Sequence, residues 1–166
     1  MSTPLWAPWR MQYILAPKVA GCFLCDHAKD PERRRENLVL AVRPHAFVCL
    51  NRYPFTPCHL LVSPVRHVAD LTLLEAHEYT ALMDLLRASL ERLRASTKCE
   101  GVNVGFNLGK VAGGSVAEHL HGHVVPRWTG DSNFMPVIAD TRVMPEHLDD
   151  AWARIAPTFA DLDETP

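Results

Sequence analysis

The run His119-Leu120-His121-Gly122-His123-Val124-Val125 limits the fold more tightly than any other stretch of the chain. Its polar positions recur at every second residue and apolar ones fill the gaps. Side chains alternate across an extended strand. The spacing therefore predicts three imidazoles on one face, their Cα atoms ~6.6 Å apart, and Leu120 and Val124 on the other, turned into a core. In a helix, at ~100° per residue, the same rings would scatter around the axis. A half-buried strand over His119–Val125 is the expectation.

The remaining sequence supplies partners for that strand. Leu38–Val42, Ala46–Asn51 and His59–Ser63 read as short strands, bounded by Pro44, Pro54, Pro57 and Pro64. Their brief connections suit an antiparallel meander, because a parallel crossover needs a dozen or more residues. Val102, Val104 and Phe106 alternate with Asn103 and Gly105 as another strand. Between these lies one amphipathic helix. Thr72 and Glu75 have capping-box spacing, and Tyr79, Leu82, Met83, Leu86, Leu90 and Leu93 follow at three- and four-residue steps. A short helix over Glu146–Ile155 places Leu148, Trp152 and Ile155 on one face. The class is α+β, with a mainly antiparallel sheet, one long helix and a short C-terminal helix. A single domain over residues 1–166 is expected, with an N-terminal arm (1–21) and a C-terminal helix and tail (145–166).

Composition removes several function classes. With 48% hydrophobic and 22% charged residues the chain has the makings of a core rather than of a disordered segment. No run approaches the ~18 apolar residues of a membrane span. Met1–Gln12 lacks the basic start and apolar centre of a secretory signal, so a soluble, cytoplasmic protein is expected. A net charge of -2 and a pI near 6.5 leave no field to gather nucleic acid. Any phosphate must be held by local donors. Five cysteines, an odd number, argue against a disulfide framework. Cys49, Cys58 and Cys99 read as small core residues or plain thiols. Cys22-Phe23-Leu24-Cys25 has zinc-knuckle spacing but is half a site, and a redox reading would expect a βαβ context that is absent.

Three readings compete for the histidine row. It is a polar sheet face, a metal site, or a nucleophilic centre. The spacing is wide for one ion with bonds of ~2.0 Å. A neutral imidazole, with a reference pKa of ~6.5, is a nucleophile at neutral pH, and a phosphorus centre suits it because the phosphoramidate formed can be discharged.

The His-x-His-x-His pattern followed by two apolar residues resembles the signature of the histidine-triad (HIT) superfamily of nucleotide hydrolases and transferases. Leu50-Asn51-Arg52-Tyr53-Pro54 and Pro57-Cys58-His59-Leu60-Leu61-Val62-Ser63-Pro64 resemble its nucleoside-binding hairpin. Asn107 and Gly113-Gly114-Ser115 resemble its phosphate loop. Trp6-Ala7-Pro8-Trp9-Arg10-Met11-Gln12-Tyr13-Ile14 is similar to the branch that contains bacterial diadenosine tetraphosphate phosphorylases. The resemblance spans roughly residues 6–137. Gly122 departs from it, standing where the family has an apolar residue, which is expected to weaken packing there. Gly114 stands where hydrolase relatives often have Gln.

The resemblance implies a five-stranded sheet extended across a homodimer, and a two-step transfer. In it His121 attacks the α-phosphorus to give a nucleotidyl-histidine, and His123 hydrogen-bonds the phosphate and assists the leaving group. Asn51 and His59 would lie at the ribose, Asn107, Gly113, Gly114 and Ser115 at the phosphates, and Trp128 either near the substrate or in a dimer interface. Arg127 and Lys110 are further candidates for the polyphosphate or its acceptor. The relatives' zinc site maps onto Cys22, Cys25, His67 and His119, with His27 as a rival ligand. A closed Cys₂His₂ set is structural rather than catalytic. The implied reaction is discharge of the intermediate by inorganic phosphate, turning diadenosine tetraphosphate into ADP and ATP, and the alternative is discharge by water in a hydrolase of dinucleoside polyphosphates or nucleoside phosphoramidates. A nucleotide-binding zinc module without turnover is the non-enzymatic alternative.

Overall fold

The computed structural model describes residues 21–113, 116, 118–132 and 143–164. Helix α1 (Phe23–Lys29) is followed by strands β1 (Val39–Val42), β2 (Ala46–Leu50) and β3 (Leu60–Pro64). Helix α2 (Ala76–Thr97) then leads to β4 (Gly101–Phe106), β5 (Gly122–Arg127) and helix α3 (Leu148–Ile155). The five strands form one sheet in the order β1-β2-β3-β5-β4, with every pairing antiparallel.

Both faces of the central strands are covered, which explains why β2 reads as an unbroken apolar run. Val48, Leu50, Leu60, Val62 and Val124 pack with Leu82, Leu85 and Leu93 of α2 and with Ala151 and Ile155 of α3. On the opposite face Phe47, Cys49 and Leu61 pack under Leu24 of α1. The C-terminal segment is more than a tail. Its 3₁₀ turns, Ala156–Glu164, bring Phe159 and Leu162 into the main core. Asp163 accepts the Val42 N–H at 2.7 Å, closing the outer edge of β1.

Three expectations shift. The capping box falls one turn later. Asp70 takes the Thr72 N–H and hydroxyl, each at 2.9 Å, so Thr72 belongs to the preceding 3₁₀ turn. Glu75 becomes the N-cap, and its N–H donates to Glu78 Oε2 at 2.9 Å. Tyr79, expected in the apolar stripe, is half exposed, while Leu85 takes a buried place. The histidine strand begins only at Gly122, so His119 and His121 precede the ladder. Leu120 accounts for this. Its N–H donates to the Val68 carbonyl and its carbonyl accepts Ser63 Oγ at 2.7 Å, bonds that lie outside strand pairing. Leu120 and Val124 nonetheless enter the core as expected.

Candidate active site

The three imidazoles serve two separate clusters. His119 is buried, and its Nε2–H donates to the Pro64 carbonyl at 3.0 Å. Its Nδ1 therefore keeps a lone pair, and this nitrogen lies 3.2 Å from Cys22 Sγ and 3.4 Å from Cys25 Sγ. His67 Nδ1 stands 3.3 Å from Cys25 Sγ. The four ligand atoms all lie within 4.8 Å of one another. Two thiols and two imidazole nitrogens at this separation match the donor set of a closed zinc site. Burial lowers the His119 pKa below its ordinary value, keeping the ring neutral as a ligand must be. His27, the rival ligand, is outside this group. Among the described residues its Nδ1 is buried without a hydrogen-bond partner, its ring meets Phe23 edge-on, and burial pushes its pKa down to about 4.

The second cluster joins His59, His121 and His123. His121 Nδ1 lies 2.8 Å from the His119 carbonyl. A carbonyl only accepts, so Nδ1 carries the hydrogen, and in the neutral ring Nε2 keeps its lone pair. The hairpin between β2 and β3 fixes the other two rings. His59 Nδ1 accepts the Phe55 N–H at 3.2 Å and faces the Asn51 amide nitrogen at 3.2 Å. Its Nε2–H is left to donate to His123 Nδ1 at 3.0 Å. The hydrogen of His123 is thereby placed on Nε2, 3.5 Å from the Asn107 amide nitrogen, and these two donors lie side by side without bonding each other. Burial lowers the pKa of both rings, that of His59 to about 3, so this chain of donors is neutral at physiological pH. The His121 and His123 rings meet edge-on, 5.1 Å between centroids.

Among the remaining candidates, Asn51 also accepts the Tyr53 N–H at 2.9 Å, pinning the hairpin. Gly113 has φ 90°, a left-handed conformation that glycine adopts without penalty. Gly114 and Ser115 lie outside the described residues, as does most of the N-terminal arm. Arg127 holds Asp131 through two hydrogen bonds and Asn103 through a third. Trp128 lines a cavity of about 390 Å³ with Phe55, Thr56, Glu146 and Arg154.

Phe55 is a site residue that sequence reasoning missed. Its N–H sets the His59 tautomer, and its ring lies 4.8 Å from His59 and stacks on His123 at 5.9 Å. An aromatic between two prolines in a loop, with little chance of burial, was the available signal. The Pro64 carbonyl, which orients His119, carries no side-chain signature.

An antiparallel five-stranded sheet that presents paired imidazoles beside a Cys₂His₂ cluster defines a histidine-triad protein. The HIT domain family model matches residues 32–130, and the chain belongs to that family. It is 37% identical over 163 residues to an AP-4-A phosphorylase of Mycobacterium tuberculosis, covering 94% of this chain and 84% of that one. Among solved structures, a zinc-bound histidine triad family protein from Mycobacterium smegmatis superposes with a TM-score of 0.66 at 26% identity. That match covers 87% of this chain and 96% of the other. The nitrilase and fragile histidine triad fusion protein of Caenorhabditis elegans is 36% identical over 88 residues, 53% of this chain and 20% of that protein.

Proposed function

We propose that this protein transfers a nucleotidyl group from dinucleoside polyphosphates to inorganic phosphate, converting diadenosine tetraphosphate and phosphate into ADP and ATP. The observation that carries the reading is the opposed pair of tautomers. One ring offers a lone pair at His121 Nε2 and its neighbour offers a hydrogen at His123 Nε2. In the first step His121 Nε2 bonds to the α-phosphorus while the bond from that phosphorus to the bridging oxygen breaks. ATP departs, and the His123 N–H hydrogen-bonds the oxygen that gains charge. In the second step a phosphate oxygen attacks the same phosphorus, the N–P bond breaks, and ADP leaves with His121 restored. Splitting one displacement into two is the ordinary advantage of covalent catalysis. Asn51 is read as the ribose contact, with His59 behind it. Asn107, Gly113, Gly114 and Ser115 are read as donors to the phosphate oxygens, and Trp128 as a wall of the substrate site.

Cys22, Cys25, His67 and His119 would hold zinc, which, once bound, supplies cross-linking rather than an open coordination position. A reducing cytoplasm suits a paired thiol set of this kind. The whole chain is read as one domain, since Phe159 and Leu162 share a core with β2 and β3. A homodimer is read from β4, which among the described strands pairs with β5 alone and leaves Val104 exposed beside its open edge. Among the described residues, no helix is long and apolar enough to cross a membrane.

The 37% identity to the phosphorylase supports phosphate as acceptor. Incubation with diadenosine tetraphosphate, with and without phosphate, tests it. ADP and ATP formed only with phosphate is the expected result. Equal rates with AMP as a product make the protein a hydrolase. Tight nucleotide binding without turnover makes it a binding module.

A further inference from the structure

Gly122 stands between His121 and His123, where the family pattern has an apolar side chain. Its φ lies outside the left-handed region, so backbone conformation does not call for glycine. Space does. A Cβ at this position would lie 2.8 Å from both Cε1 and Cζ of Phe106 and 3.4 Å from its Cδ1. Phe106 is the Cα partner of Gly122 across the β4–β5 ladder, and its ring packs against the main core. The ring therefore occupies the volume that the missing side chain would take, and packing is not weakened there. The next residue is Asn107, whose amide stands 3.5 Å from His123 Nε2. Both members of the contact thus adjoin site residues, on the two strands that bring Asn107 and His123 together.

We infer that Gly122 is the seat of the Phe106 ring, and that this fit acts as a positioning device that sets the Asn107 amide nitrogen beside the His123 Nε2–H, two donors aimed at a common acceptor rather than bonded to each other. This rests on the proposed reaction for its kinetic consequences but not for its geometry. An added methyl must push the ring out of its seat, because two carbons cannot rest 2.8 Å apart. The end of β4 then moves relative to β5, and Asn107 moves with it.

The test is a set of variants read by both kinetics and histidine ¹⁵N NMR. For Gly122→Ala, the His123 ring resonances should move and kcat should fall by about 10- to 100-fold, approaching the loss of one transition-state donor, while KM changes little. Gly122→Ala/Phe106→Leu, which trades the ring for a shorter side chain, should restore the resonances and most of the rate. In an Asn107→Ala background, Gly122→Ala should cost less than about 2-fold, the non-additivity expected of residues acting through one another. Should Gly122→Ala fail to fold, Phe106→Leu alone empties the seat and should show the same NMR shift and a kcat loss. Unmoved His123 resonances with wild-type kcat, or a loss undiminished in the Asn107→Ala background, overturns the inference. If the wild-type protein shows no turnover, the proposed reaction fails and the NMR comparison alone decides the seat.

Discussion

A main-chain carbonyl cannot donate a hydrogen bond, and a backbone N–H cannot accept one. His121 and His59 are each tied to one such group, through the His119 carbonyl and the Phe55 N–H, so their tautomers are settled by groups that do not titrate. The proposed nucleophile and its donor neighbour are thus arranged before substrate arrives, which is where much of the rate in charge-developing reactions originates. His121→Asn keeps a polar side chain of similar reach and removes the attacking nitrogen. Turnover should drop by at least about 10³-fold, with unchanged circular dichroism, as for other nucleophile deletions. Near-normal turnover in that variant would falsify the covalent scheme. His121 and His123 were legible from the period-two spacing, because it is a pattern of side chains. The split of His119 into a different cluster was not, because it depends on the Leu120 N–H, the Pro64 carbonyl and two cysteines 94 and 97 residues away.

At the scale of elements, patterns written in side chains translated well and those written in competition between neighbours did not. Strands β1, β2 and β3 lie within one residue of their expected ends, since proline and apolar runs mark them. The α2 stripe was readable from its period, but its start was misplaced because Asp70, a better acceptor than Thr72, claims the donors of the preceding turn. The true box has a consequence for the site. Glu78 receives the Glu75 N–H and both Nε and Nη2 of Arg66, at 2.7 and 2.6 Å, and Arg66 precedes the ligand candidate His67. The Arg66 hydrogen bonds hold the Glu78 carboxyl down to about 2. Glu78→Ala removes the N3 half of the capping box, about 1 kcal/mol, so Tm should fall by about 2–4 °C. It should also weaken metal retention, because the loop carrying His67 loses its anchor to α2. A calorimetric scan and a zinc competition assay read these separately. An unchanged Tm would show that the box contributes nothing.

For the molecule as a whole, the metal cluster and the buried histidines point to one stability profile. The Cys22/Cys25/His67/His119 group ties α1 to the segments after β3 and before β5, contacts far apart in sequence. Purified protein should contain about one zinc per chain, and Cys25→Ser should lose it and unfold at a lower temperature, since binding to the folded form alone adds stability. Zinc well below one per chain removes the cross-link from the account. The pH dependence follows from burial. His59 has a folded pKa near 3 against an ordinary value near 6.5, and burial also depresses His123 and His119. Below about pH 6.5 the unfolded chain therefore binds protons that the folded chain refuses, and stability falls as pH drops toward 3. Glu78 and Asp131, each held near 2 by an arginine, add a loss of the same sign below about pH 4.5. Acid destabilisation should consequently begin before any carboxylate titrates, with Tm lower by at least about 3 °C at pH 5 than at pH 7. Metal release by protonated ligands works in the same direction, so His59→Gln isolates the histidine contribution. It removes a buried titrating ring without touching the metal cluster and should flatten the slope between pH 6.5 and 5. A variant with the wild-type slope, or a wild-type Tm that is level across this range, would mean that the His59 ring takes up its proton as readily in the folded protein as in the unfolded chain.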